Sequence, residues 1–235
     1  MIMHDLPEQV GAGLCDIEAV VFDFDGTLVH TDIDFAAMRA AIVEHLHQWG
    51  LGKPGVEEGR YVLELIAWAE ERLQDDLSRQ RQYHQEARKI LHEVELPHCQ
   101  RAEPFPGVPG ALQRLRAASR KIGIITRNSR EGVAAVLCRH PLPYEVLITR
   151  DDLSNVKPHP EHLEQALAAL GVAASRALMV GDHVTDIQCG QAAGVRACGV
   201  LTARTTLEQF HELGADFAFR DVPTLVEALL DERLP

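Results

Sequence analysis

The sequence predicts an α/β protein: a doubly wound parallel sheet carrying an all-helical domain inserted after its first strand. Three observations lead there. Short, continuous apolar runs recur along the 235 residues, segments of helical size separate them, and one stretch, 30–101, contains no convincing strand.

The first run, Ala19-Val-Val-Phe22, ends in acidic residues and a glycine, as a buried parallel strand does where its carboxyl end enters a loop. The runs 121–126, 145–149, 177–181 and 195–200 repeat that form, with helices expected at 110–118, 130–139, 160–170 and 186–193. A short strand at 217–219 and a helix at 223–230 close the chain. Within the insert, 34–49 is amphipathic, with Phe35, Met38, Ile42 and Leu46 on one face. Gly50-Leu-Gly-Lys-Pro-Gly55 reads as a loop. In 57–95, apolar residues fall at Val62, Ile66, Ala69 and Leu73, then at Tyr83, Ala87, Ile90 and Val94. The seam fails at Asp76 and Gln80, which predicts two helices with a break near 75–78. The expected division is a core domain of 1–29 with 102–235 and a helical domain of 30–101, left through the proline-rich connection 103–109.

A formal net charge of −12 argues against nucleic acid or an anionic membrane surface as partner. A phosphorylated substrate would therefore need a local cationic site. No run is long and apolar enough to span a membrane, and the N-terminal Met-Ile-Met-His-Asp-Leu-Pro is not a secretory signal. The five cysteines are odd in number and lack C-x-x-C spacing, so reduced, mostly buried thiols and a cytoplasmic setting are expected.

Four groups of residues carry chemistry. Asp23-Phe24-Asp25-Gly26-Thr27-Leu28 follows the first strand, at the sheet edge where open parallel sheets bind ligands. Two carboxylates at i and i+2 of an extended segment point the same way, repel, and are relieved by a hard divalent cation. A carboxylate can also attack phosphorus covalently. An ordinary strand-end turn offers the same residue types. Thr126, with Arg127 and Asn128, ends another strand, where a hydroxyl and backbone N–H groups can hold phosphoryl oxygens. Lys157 lies in Asn155-Val-Lys-Pro-His-Pro160, whose prolines would aim it, though a surface lysine fits too. Gly181-Asp182-His183-Val184-Thr185-Asp186 adds two carboxylates that could equally cap the next helix. Gly11-Ala-Gly13 precedes a strand rather than following one, which argues against a dinucleotide loop. His159 and His162 read as surface or loop residues.

Taken together, in this order and at these strand ends, the residues resemble the haloacid dehalogenase-type hydrolase superfamily. The resemblance is specifically to its phosphoglycolate-phosphatase-like branch with a helical cap, over about 19–227. The resemblance implies a Rossmann-like core and a magnesium-dependent phosphatase acting on a small phosphorylated metabolite through an aspartyl-phosphate. By position, Asp23 corresponds to the nucleophile and Asp25 to the general acid and base. Thr126 and Lys157 correspond to the phosphoryl-holding pair, with Arg127 and Asn128 beside them at the substrate. Asp23, Asp25 (through its main-chain carbonyl), Asp182 and Asp186 correspond to the magnesium site. Arg127 departs from the small or amide residue that many relatives carry there. The cap is expected to close over the site and to set specificity, with Arg39 and Arg60 as candidate contacts. Phosphoglycolate, a sugar phosphate, a nucleotide and pyrophosphate all remain open as substrates. A phosphomutase or pyrophosphatase of the same fold is the alternative, an inactive binding module a remoter one, and a monomer or homodimer is expected. A carbon–halogen hydrolase of this fold typically lacks the second aspartate, so Asp25 argues against it.

Overall fold

The computed structural model describes residues 13–52, 55, 56, 58–203 and 205–231. The stretch Met1–Pro7, Gly11 and Ala12 of the glycine triplet, and Lys53 and Pro54 of the expected loop lie outside the described residues.

In chain order, β1 (Ala19–Phe22) and β2 (Val29–His30) precede three helices, α1 (Phe35–Gln48), α2 (Val62–Arg72) and α3 (Leu77–Cys99). Then come β3 (Glu103–Pro104), α4 (Val108–Ala117), β4 (Lys121–Ile125), α5 (Arg130–Leu137) and β5 (Val146–Ile148). The chain continues through α6 (Glu161–Leu170), β6 (Ala177–Gly181), α7 (Val184–Ala192) and β7 (Arg196–Val200). It closes with α8 (Leu207–Glu212), β8 (Phe217–Phe219) and α9 (Val222–Leu229).

Six strands form one parallel sheet in the order β5-β4-β1-β6-β7-β8. Every residue of β1 is buried, as its unbroken apolar run requires. After β1 the chain builds outward on one side as β4 and β5, then restarts on the other as β6, β7 and β8. The topological switch point therefore lies at β1, where this class of sheet opens a crevice. Phe22 pairs with Ile124 of β4 and Val180 of β6, so the three strands end within one residue of one another. Ala19 and Val21 of β1, with Ala177 and Met179 of β6, pack on Leu163, Ala166, Leu167 and Leu170 of α6 and Cys189 of α7.

α8 and the β2–β3 pair were not expected from the sequence. Thr206 caps α8, with Gln209 returning the bond, and the helix buries Phe210. A Cβ at Gly199 of β7 would lie 2.5 Å from the Phe210 ring, so the glycine makes room for this helix. β2 and β3 pair antiparallel, Val29 with Pro104 and His30 with Glu103, giving the expected turn-rich exit two strand residues.

The chain divides into two compact units, Asp32–Arg101 and the residues on either side of it. In the helical unit Met38, Ile42 and Leu46 are buried, but Phe35, expected on the same face, is 58% exposed. Phe35 is the first residue of α1. The buried seam of α3 is Tyr83, Ala87, Leu91, Glu95 and Cys99, not Ile90 and Val94. Steps of four advance about 40° each time around a helix of 3.6 residues per turn, so the seam winds across the helix face. His45 stacks on Tyr83 with ring centroids 4.8 Å apart, and the Trp49 indole N–H donates to Glu86 Oε2 at 3.0 Å. Arg39 Nη1 donates to the Arg60 carbonyl at 2.5 Å and Arg60 Nη1 to the Val56 carbonyl at 2.6 Å. Both arginines thus brace the loop between α1 and α2. Of the thiols, Cys99, Cys189 and Cys198 are buried, whereas Cys15 and Cys138 are exposed; none is paired in a disulfide. No helix among the described residues is long and apolar enough to cross a membrane.

Candidate active site

The register of the sheet assembles the site. β1, β4 and β6 end together, so Asp23, Thr126 and Asp182, the first residues beyond them, emerge at one edge; Asp23 N–H donates to the Val180 carbonyl at 2.8 Å. Asp23, Asp182 and Asp186 are all buried, and one carboxylate oxygen from each lies within 4.8 Å of the others. Lys157, buried as well, reaches into this group: its Nζ donates to Asp23 Oδ1 at 2.5 Å and to Asp186 Oδ1 at 2.7 Å. Asp186 makes the helix-capping contact expected as one of its two readings and also pairs with Lys157. Its Oδ2 accepts the His183 N–H at 3.0 Å, capping α7, while its Oδ1 holds Lys157.

The Asp25 carboxylate is not one of the three that cluster around Lys157. It accepts three hydrogen bonds of 3.0 Å, from the Thr31 hydroxyl and Asn128 amide at Oδ1 and from the Thr126 hydroxyl at Oδ2. Asn128 is buried, with Oδ1 accepting the Ser129 N–H at 2.7 Å, so both ends of its amide are engaged within the site. Its side chain therefore donates to Asp25. Arg127 is half-buried, and its charge helps to depress the His183 imidazole, which burial already lowers.

Three hydroxyls and a histidine complete the arrangement. Thr27 Oγ1 donates to Asp182 Oδ1 at 3.0 Å, Thr205 Oγ1 to the Asp182 carbonyl at 2.7 Å and Thr202 Oγ1 to the Gly26 carbonyl at 2.5 Å. Thr27 could have been found, since it lies inside the acidic motif; Thr202 and Thr205 come from a distant loop with no local signal. His162, expected at the surface, is fully buried, because the first turn of α6 packs against the end of β5. His159 remains exposed, as expected.

The electrostatics favour a cation. Burial alone would depress the Lys157 ammonium, but Asp186 and Asp23 outweigh it and hold its pKa above the ordinary value. Burial, then the charges of Asp23 and Asp186, push the Asp182 carboxyl up to about 8. Three buried carboxylates against one ammonium leave an excess of negative charge, which buried sites do not sustain without a counter-ion or a proton. Clustered carboxylate oxygens are the donors a hard divalent cation takes. The residues present therefore fit a metal.

Gly26 is required by the same packing. Its φ is +87°, and a Cβ there would stand 2.6 Å from Asp182 Oδ2. Gly26→Ala is expected to cost ~1–2 kcal/mol from the left-handed backbone alone, and to displace Asp182. Urea unfolding and phosphate-release assays check it: both stability and activity should fall, and a variant unchanged in both would contradict this packing.

Comparison with known proteins gives the family. A family described as Haloacid dehalogenase-like hydrolase matches residues 20–200. The chain belongs to that family. It is a hydrolase acting on phosphoric ester or anhydride bonds of small phosphorylated substrates. It is 30% identical to the Pyrophosphatase PpaX of Halalkalibacterium halodurans over 216 residues, covering 90% of this chain and 96% of that one. It is 33% identical to the Pyrophosphatase PpaX of Bacillus cereus over 204 residues, 83% of this chain and 89% of that one. In fold it is similar to the crystal structure of a hydrolase from Pseudomonas syringae, with a TM-score of 0.66 and 21% identity, covering 90% of this chain and 97% of that one.

Proposed function

We propose that the chain is a magnesium-dependent phosphohydrolase that attacks with Asp23, and that inorganic pyrophosphate is its first candidate substrate. One observation carries the reaction class: Asp23, Asp182 and Asp186 are gathered around Lys157, with Asp25 held beside them by three neutral donors. The preference for pyrophosphate over the phosphoglycolate-like ester expected from sequence is supported by the names of the two curated relatives, each covered over most of its length.

In this reading an Asp23 carboxylate oxygen bonds to phosphorus as the bond from phosphorus to the leaving oxygen breaks. Asp25 protonates that oxygen, and then takes a proton from the water that attacks the phospho-aspartate, freeing phosphate and restoring Asp23. Lys157 and the Thr126 hydroxyl neutralise and hold the transferring phosphoryl oxygens. Arg127 adds positive charge at the same edge. Asp23, Asp182, Asp186 and the main-chain carbonyl of Asp25 would hold magnesium. When bound, that ion supplies charge neutralisation to the phosphoryl oxygens and to the carboxylates themselves. Thr31 and Asn128 hold the Asp25 carboxylate in place between its two proton transfers, while the Thr126 hydroxyl, which donates to Asp25 Oδ2 in this structure, turns its proton to the phosphoryl group. The helical unit is proposed as a cap domain in the family sense.

The test is a phosphate-release panel containing pyrophosphate, phosphoglycolate, hexose phosphates and nucleotides. Pyrophosphate should give the highest kcat/KM, activity should vanish on chelation, and magnesium should restore it. An ester that outperforms pyrophosphate overturns the substrate assignment; activity that survives exhaustive chelation overturns the metal site.

A further inference from the structure

We infer that His162 is a positioning residue that ties the Lys157 loop to the end of β5, the same point to which the Thr126 main chain is bonded. The inference rests on the reading above, in which Lys157 and Thr126 hold the phosphoryl group. A backbone N–H can only donate, so the Lys157 N–H, 3.2 Å from His162 Nδ1, makes that nitrogen an acceptor. The imidazole proton then sits on Nε2, which donates to the Ile148 carbonyl at 3.1 Å. That carbonyl also accepts the Thr126 N–H at 3.0 Å. One carbonyl at the end of β5 therefore accepts both the Thr126 N–H and the N–H of the imidazole that itself accepts from the Lys157 N–H. Burial, and then the charge of Lys157, depress the His162 pKa to about 3, in keeping with a neutral ring.

The Lys157 ammonium must meet Asp23 and Asp186 at once, over distances of 2.5 and 2.7 Å. Its main chain lies in a loop, where neither helix nor sheet sets the position of the Cα. His162 supplies that constraint with a rigid ring whose two nitrogens both bond to main chain. The residue is otherwise unexplained: a fully buried imidazole at a helix start could be replaced by an apolar side chain if only packing were needed.

The test compares His162→Leu, which removes both bonds, with His162→Asn, whose Oδ1 can replace Nδ1 as acceptor for the Lys157 N–H. Hydrogen–deuterium exchange over 153–160 reads the tether directly. Exchange at Lys157 should speed up by about tenfold in the Leu variant and be slowed again in the Asn variant. Steady-state kinetics read the consequence. The Leu variant should lose ~10- to 100-fold in kcat, with KM and the magnesium concentration for half-activity little changed, and Asn should recover most of the loss. Unchanged protection at Lys157, or a Leu variant with undiminished kcat beside an active wild type, overturns the inference alone. So does an Asn variant no better than Leu at equal thermal stability. A wild type that releases no phosphate from any substrate overturns the reading of function on which it rests.

Discussion

Asp23→Asn is expected to abolish turnover, by at least ~10⁴-fold, while leaving the fold intact. The amide keeps the volume of the carboxylate and an oxygen that can still accept from Lys157 Nζ, 2.5 Å away in the parent. What disappears is the anionic oxygen that would bond to phosphorus. The same change removes one of three crowded carboxylates. The metal-free variant should therefore melt at the parent temperature or above it, although its inactivity is complete. Steady-state assays and thermal melts measure the pair. Activity within tenfold of the parent would remove Asp23 from the role of nucleophile.

Lys157→Met should damage both activity and stability. Methionine fills most of the space, but Asp23 and Asp186 then stay buried without their counter-charge. Breaking a buried ion pair from one side costs ~3–5 kcal/mol. The pH dependence has a definite sign. Asp182 and Asp186 already titrate above the ordinary carboxyl value because of burial, and losing the ammonium raises Asp186 further. A carboxyl whose folded-state pKa is raised keeps its contribution below the unfolded value and loses it as pH rises through the folded one. In magnesium-free buffer the deficit should therefore be small near pH 4 and grow towards the Asp182 value of about 8. Magnesium added at neutral pH should recover part of it. A deficit that is independent of both pH and magnesium would mean that the lysine acts by packing alone.

Features that repeat locally were legible in the sequence. The apolar runs marked every strand of the main sheet, because a strand buried on both faces needs an unbroken run, as β1 shows. The acidic turn after β1 and the Gly-Asp turn after β6 could be assigned to one edge, because parallel strands joined by helices all present the same ends there. Contacts between distant segments were not legible. The Thr27–Asp182 hydrogen bond joins residues 155 apart, and nothing in either neighbourhood announces it. His162 looked like a surface residue because histidine is ambivalent about burial, and only the packing of α6 against β5 decides the matter. α8 is six residues long, too short for a helical period to show, although the Thr206–Gln209 capping pair was a signal that could have been used. The bonds that Asn128 donates to Asp25 and accepts from Ser129 had no signal in the sequence either.

The central claim is that phosphorus passes through a covalent bond to Asp23. Rapid mixing of the enzyme and magnesium with labelled pyrophosphate, or with whichever ester outperforms it, should be followed by acid quench within milliseconds and borohydride reduction. Peptide mass spectrometry then locates the trapped acyl phosphate as a homoserine. Modification should appear at position 23, depend on magnesium, and be absent from Asp23→Asn. An active enzyme that carries no phosphoryl group at any quench time, or carries it on a residue other than Asp23, would contradict the account.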